Sequence, residues 1–396
     1  MAYRQLENSV RTIWLNIIMS ATACISATAA DLRIVPADFI VLNSTNRDKH
    51  YSDLVVHTIA IATGDRENAT LNSLRVEVLS NDQVLLTREV PIEDLVGGTQ
   101  FLAHAPLPEF VAGQVLNAQG IDGLFGRHIG FAASAQMGPS QTLLAMRMHF
   151  SIGFKADTLR ATVMLADSRG KYQVISSVPI RSYVSPITYA APLEGEWLMQ
   201  AIPGVQSHHR FNPSTEFAID FFKLGTDGHI VHGNPLDARN FYGYGALVTV
   251  AAAGTVSAVI ADQTQDRAAL TRKNGESRED FGKRVEEFHM LAMRKNFRAA
   301  NAGNLVTIRH EKDGVVEYSS YGHLKTGSVR LKVGDIVKPG DVVGEVGDTG
   351  DSNAVHLHFQ LNAGADAFMS KSLPVSFANM HAVDGNDELG LLVTTP

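Results

Sequence analysis

The sequence predicts a mainly β protein: an immunoglobulin-like β-sandwich followed by a second, β-rich domain with a helical insertion. Three observations lead there. Over residues 31–185 short segments alternate apolar and polar side chains, the period of a half-buried strand, and polar turns separate them at regular intervals. From 196 to 380 short apolar runs return, punctuated by glycine-rich turns, and helical spacing is sustained inside that stretch over about 278–298. A chain of 396 residues that is 45% hydrophobic has room for two or three domains with sizeable cores.

Taken in order, residues 1–30 read as an export signal: Arg4 and Arg11 precede an apolar stretch from Ile13 to Ile25, and Ala27-Thr28-Ala29 forms a small-residue cleavage site. The apolar run is short and broken by Asn16, so no stable membrane span is expected after cleavage. The one cysteine, Cys24, lies inside this segment, and Ala21 stands where a lipoprotein signal expects a large aliphatic residue. The mature chain then has no cysteine, and its fold relies on its cores and on any bound metal. In the domain at 31–185, Leu74-Arg75-Val76-Glu77-Val78 alternates cleanly, and a turn at Ser80-Asn81-Asp82 leads into Val84–Val90. A second hairpin joins Leu159–Leu165 to Tyr172–Pro179 through Asp167-Ser168-Arg169-Gly170. None of these residues carries chemistry; the domain is a spacer, or it binds a regulatory partner or covers a site. Pro186, Pro192 and Gly195 mark a linker at 186–195. The second domain spans 196–380, and 381–396 is expected to be a C-terminal tail. Within the insertion, Ser277 and Asp280 have the form of a capping box, and Phe281, Val285, Phe288 and Ala292 recur at helical spacing. The basic residues Lys283, Arg284, Arg294, Lys295 and Arg298 form either a solvated face or a contact for acidic polymer.

The residues with chemical potential are histidines. His356-Leu357-His358-Phe359 follows the turn Gly347-Asp348-Thr349-Gly350, and in a strand His356 and His358 share one face while Leu357 and Phe359 pack on the other. Upstream lie Tyr318-Ser319-Ser320-Tyr321-Gly322-His323-Leu324 and the glycine-turned run from Val333 to Gly344. Asp220 sits in the apolar run Phe217-Ala218-Ile219-Asp220-Phe221-Phe222, where an unpaired carboxylate is costly and a metal offsets that cost. The remaining histidines, among them His57, His149 and His310, show no ligand spacing and are assigned structural or solvated roles.

The order of a tyrosine-rich strand ending in His-Leu, a turn, a Val-Gly-Asp hairpin, a glycine turn and His-Leu-His-Phe closely resembles the lysostaphin-type zinc metallopeptidases, which cut peptides in bacterial cell walls. The resemblance covers roughly residues 194–380. It implies a small antiparallel groove holding one zinc ion, with His358 as ligand and His323 and His356 as catalytic histidines. It also implies an upstream histidine and aspartate as further ligands, for which His209 and Asp220 are the candidates. The family's commonest spacing between these two is four residues; here His209 precedes Asp220 by 11, and His208 by 12. A loop through Asn212, Pro213 and Ser214 can return the histidine to the aspartate, and the choice between His209 and His208 stays open.

Three ligands leave a fourth position for water, whose pKa a catalytic zinc lowers to about 7. The implied protein is a periplasmic or secreted endopeptidase acting on peptidoglycan peptide; the alternative is a non-catalytic wall-binding or regulatory protein that retains the fold. A formal charge of −7, one unit more negative once Arg4, Arg11 and Glu7 are removed, argues against nucleic acid as partner. No Gly-x-Ser-x-Gly elbow supports a serine hydrolase.

Overall fold

In the computed structural model residues 30–44, 51–65, 67–104, 120–200, 207–387 and 390–395 are described. The expected signal, with Cys24, lies outside them apart from Ala30. Among the described residues no helix is long and apolar enough to cross a membrane.

The N-terminal domain is built from β1 (Asp31–Val35), β2 (Ile40–Val41), β3 (Asn43–Ser44), β4 (Ser52–Ala62), β5 (Ala69–Ser80), β6 (Gln83–Val90), β7 (Gly130–Phe131), β8 (Gln136–Met137), β9 (Gln141–Ile152), β10 (Thr158–Asp167) and β11 (Gly170–Arg181), with helices α1 (Ile92–Ala103) and α2 (Gly120–Phe125). Both expected hairpins form. Asn81 and Asp82 turn β5 into β6 in left-handed conformations that short polar side chains tolerate, and β10 pairs with β11 from Asp167 opposite Gly170. One sheet runs β1-β4-β9-β7 with β3 on β4, the other β2-β11-β10-β5-β6 with β8 on β5. Alternation explains the two layers: Leu74, Val76 and Val78 of β5 and Leu159, Ala161, Val163 and Leu165 of β10 share one core with Leu54 and Val56 of β4 and Phe150 of β9. The two-layer arrangement is as expected, but the immunoglobulin-like topology is not carried over. Each sheet ends in a parallel pair, β2 with β11 and β7 with β9, and α1 packs on β9 through the buried Leu95, Thr99 and Leu102.

The second domain is one long antiparallel sheet. Its strands are β12 (Gly195–Gln200), β13 (Ile219–Phe222), β14 (Leu247–Thr249), β15 (Gly254–Ile260), β16 (Asn304–Lys312), β17 (Val315–Leu324), β18 (Ile336–Val337), β19 (Val342–Glu345), β20 (Leu357–Asn362), β21 (Ser372–Leu373), β22 (His381–Asp387) and β23 (Gly390–Thr395). The order is β18-β15-β16-β17-β20-β13-β12-β23-β22, with β21 on β20 and β14 paired separately with β19. Ile219, Phe221, Leu357, Phe359 and Tyr321 are buried on its core face.

Three boundaries differ from expectation. The segment taken as a tail extends the sheet, because β23 pairs with β12 from Gly195 opposite Thr395 and β22 follows as the edge. The linker and the residues just before it are docked: Tyr183, Ser185 at 2.6 Å and Tyr189 at 2.7 Å all donate hydroxyl hydrogen bonds to the buried carboxylate of Glu317 on β17. The insertion is two helices, α3 (Arg278–Lys295) and α4 (Phe297–Ala302). Ser277 caps α3 by accepting from the Asp280 amide, as its sequence predicts, whereas Asn296 leaves helical geometry and caps α4 by accepting from the Ala299 amide at 3.1 Å. Lys283 pairs with Glu279, Arg284 with Glu276 and Arg298 with Asp366.

The two domains share a buried contact. Phe39 and Val41 pack on Phe217, and Lys371 reaches across to Asp38 at 3.0 Å and to the Phe39 carbonyl at 2.7 Å. Beside them, Arg210 is fully buried against Asp53 of β4 and Glu216.

Candidate metal centre

Register brings the predicted residues together. Asp220 on β13 lies opposite His358 on β20, and Gly322, next to His323 on β17, lies opposite the same His358. Leu357 and Phe359 point into the core while His356 and His358 turn to Asp220, as strand alternation requires. The loop from 207 folds back so that His209 reaches Asp220 across the gap of 11 residues.

Asp220 is the hub. Its carboxylate is 4% exposed and has His209 Nε2 at 3.1 Å, His358 Nδ1 at 3.0 Å, and His356 Nε2 and His208 Nε2 each at 3.6 Å. Donor atoms of His208, His209 and Asp220 all lie within 4.8 Å of one another. The two neighbouring histidines differ in setting: the side chain of His209 is 14% exposed and that of His208 is 71%. His323 stands on the far side of His356, ring centres 4.6 Å apart, and takes no part in the contacts to Asp220 described above.

Hydrogen bonds fix which ring nitrogens are available. Gln360 donates its amide to the Ala367 carbonyl and to Asn362 Oδ1, which turns Oε1 toward His358 Nε2 at 2.8 Å and makes that nitrogen a donor. The lone pair at His358 Nδ1 is then the one that faces Asp220. His323 Nδ1 donates to the Thr349 carbonyl at 2.7 Å and His356 Nδ1 to the Ala354 carbonyl at 2.9 Å, leaving Nε2 of each as the acceptor. Phe222 stacks on His356 with ring planes 17° apart. His323 has φ +58, a left-handed conformation that a non-glycine residue holds only under constraint. The constraint is Thr349, whose hydroxyl donates to the Leu324 carbonyl and accepts from the Asn304 amide.

The electrostatics follow. Burial lowers His209 to about 4, and burial, followed by the neighbouring imidazoles, keeps His323 well below its ordinary range. Burial also lowers His356. Burial alone would lower His358 too, but its hydrogen bond to Asp220 and that carboxylate's charge outweigh burial and raise it. For Asp220 burial opposes ionisation, yet His356, His209 and the bond from His358 hold it well below the usual carboxylate range. The result is a buried anion facing several imidazole nitrogens, with a proton on His358 as its counter-charge. The donor set of imidazole nitrogens and one carboxylate suits zinc, which would take the place of that proton at Nδ1.

The groove beside these residues is lined by His208, His209, His323 and His358, and by Phe297 of α4 and Phe368. The expected helical insertion therefore meets the groove through α4. Among the described residues, none from the N-terminal domain lines it. Reading the sequence missed Gln360, although its place two residues after His358 on the same strand face was a usable signal. It also missed Thr349 and the role of Arg210, whose partners are set by tertiary contact.

An antiparallel sheet that gathers imidazoles around one buried aspartate has the make-up of a metal centre. Residues 291–369 match Peptidase family M23, and the chain carries a domain of that family. The match spans His323, His356 and His358; His209 and Asp220 lie before it. No curated protein matches the chain. Similar solved structures include the catalytic domain of the antimicrobial peptidase lysostaphin from Staphylococcus simulans, 19% identical, covering 45% of this chain and 86% of that one with a TM-score of 0.23. Csd3 from Helicobacter pylori is 14% identical over 84% of this chain and 72% of its own, TM-score 0.25. A zinc-containing peptidase from Vibrio cholerae is 13% identical over 87% and 86%, TM-score 0.23.

Proposed function

We propose that this chain is an exported zinc-dependent endopeptidase, periplasmic or secreted, that hydrolyses peptide bonds in the stems or cross-bridges of peptidoglycan. The observation that carries the reading is the convergence of His209 and His358 on the buried carboxylate of Asp220, with His356 and His323 beside them. His209, Asp220 and His358 are the ligands in this proposal. His209 is preferred to His208 because its ring is the more buried and the nearer to Asp220. A zinc ion held there supplies activation of water and polarisation of a carbonyl at neutral pH.

The protein's own groups supply the proton transfers. His356 and His323 each have Nδ1 committed to a backbone carbonyl, so Nε2 is the atom at which a proton is taken from the attacking water and returned to the leaving amine. Burial keeps both rings neutral near pH 7, the state a general base requires. Once protonated, the same nitrogen donates to the oxyanion of the tetrahedral intermediate. The competing reading, a wall-binding protein without activity, is disfavoured because none of the five positions is lost.

The test is mass spectrometry of fragments released from purified peptidoglycan by the zinc-loaded mature protein, with and without a chelator. Chelator-sensitive fragments identify the bond; no release at any zinc level would refute the enzyme reading. His358→Ala and Asp220→Ala should both lose zinc, and His356→Ala should keep zinc but lose turnover. His208→Ala should retain zinc while His209→Ala should not, and the opposite result would exchange the two.

A further inference from the structure

Arg210 is the next residue after His209 and points the opposite way. His209 faces the groove, while the Arg210 guanidinium is 0% exposed in the contact between domains. Its Nε and Nη2 lie 3.1 and 2.9 Å from Asp53 Oδ2 on β4, and its Nη1 meets the Glu216 carboxylate. Asn43 holds the other oxygen of Asp53 at 3.0 Å, His149 of β9 stands 3.4 Å from Oδ2, and His57 of β4 reaches Glu216 at 2.8 Å. Two side chains of the second domain are thus clamped among four of the first.

The loop these residues belong to has two unequal halves. Residues 213–217 are tied to their own domain: the Ser372 amide donates to the Pro213 carbonyl, Asn362 donates to the Ser214 carbonyl, and the Phe217 amide donates to the Ser372 hydroxyl. Residues 207–212 carry the histidines; they make turn bonds among themselves, Arg210 amide to Ser207 and Asn212 amide to His209, and only at Asn212, which accepts from Ser214 and from the Thr215 amide, do these bonds join the tied half. The anchor that Arg210 gives this half lies in the N-terminal domain. Burying an arginine with two carboxylates is a poor source of stability, since desolvation opposes the attraction, and its best-attested use is to select one conformation. The conformation selected here is the chain reversal that turns His209 onto Asp220.

We propose that the N-terminal domain is a working part of the metal centre, and that Asp53, acting through Arg210, is a positioning residue for His209. This rests on the zinc reading above. An outer partner that orients a ligand contributes about 10–100-fold in metal affinity. The proposal is tested on the full mature chain by zinc competition against a chromophoric chelator, and by hydrogen exchange over 207–212 in metal-free protein. Asp53→Asn should lose about 10–100-fold in zinc affinity and speed exchange in that half-loop.

If the lone Arg210 left by Asp53→Asn prevents folding, the paired variant Asp53→Leu with Arg210→Met decides, because apolar replacement of a buried ion pair is often neutral for stability. It should melt cooperatively yet bind zinc as weakly as Asp53→Asn does. Lys371→Met, which cuts a separate ion pair between the domains and keeps the apolar stem over Phe39, should bind zinc normally. Normal affinity and slow exchange in the folded paired variant would overturn the proposal, and so would an equal loss in Lys371→Met. If the wild type binds no zinc, the metal reading fails, while exchange over 207–212 still decides whether Asp53 anchors the half-loop.

Discussion

Gln360 shows how much a single side chain decides at this site. Its amide is oriented by two acceptors, so its oxygen makes His358 Nε2 a donor and turns the Nδ1 lone pair toward Asp220. Gln360→Leu removes that acceptor and should weaken zinc binding about 10–100-fold with the fold intact, as read by chelator competition. An unchanged affinity would mean that backbone register alone orients the ring. The pH dependence has a definite sign. His358 is raised above its ordinary value by Asp220, so its proton competes with a metal below that raised pKa, whereas His209 is already neutral down to about 4. Apparent zinc affinity should fall about tenfold per pH unit as pH drops below the His358 pKa, with one proton released per ion bound, measurable by calorimetry in buffers of differing ionisation heat. In the metal-free protein the linkage runs the other way. The Asp220–His358 pair contributes stability fully below pH 6.5 and loses it as pH rises through the raised pKa.

At the scale of elements, the groove depends on one close backbone approach. Gly303 at the end of α4 has φ +62, and a Cβ placed on it would lie 2.2 Å from the Thr349 carbonyl oxygen. Gly350 has φ +84 and is equally tight against the Gly303 amide. This contact sets the 347–352 turn against α4 and so aims the Thr349 carbonyl at His323. Gly303→Ala should destabilise the protein by about 1–3 kcal/mol in a urea melt, because neither backbone can yield without moving a site residue. The same variant should reduce turnover more than zinc content, since His323 is displaced while Asp220, His209 and His358 are not.

For the whole molecule, the centre joins strands that are far apart in the chain: β13, β17 and β20 supply Asp220, His323 and His358, and β23 and β22 extend the second domain's sheet beyond β12. A ligand that binds only this assembled arrangement stabilises it by mass action, about 2.7 kcal/mol at a hundredfold excess over Kd. Zinc should therefore raise the melting temperature of the full chain, and it should do nothing for Asp220→Ala. An equal rise in that variant would place the ion elsewhere. With Arg210 and Lys371 both buried against the first domain, the two domains should melt in one transition.

Much of this was legible in the residues themselves. Alternation at Leu74–Val78 and Leu159–Leu165, the polar turns after them, the cap at Ser277 and the shared face of His356 and His358 are local properties, set by backbone geometry over a few residues. Asp220 was legible as well, because a carboxylate in an apolar strand calls for a partner. What sequence could not decide was anything that depends on pairing between distant segments. The split of the insertion at Asn296, the docking of Tyr183 and Tyr189 on Glu317 and the return of 390–395 to β12 all lie beyond local pattern. The return of His209 across 11 residues lies there too, because a loop without strand pairing takes its shape from what it touches. Here that contact includes Asp53, more than 150 positions earlier in the chain. Residue type and period thus determined which groups could do chemistry, and only the tertiary structure decided which of them meet, because register and burial are properties of the assembled sheet.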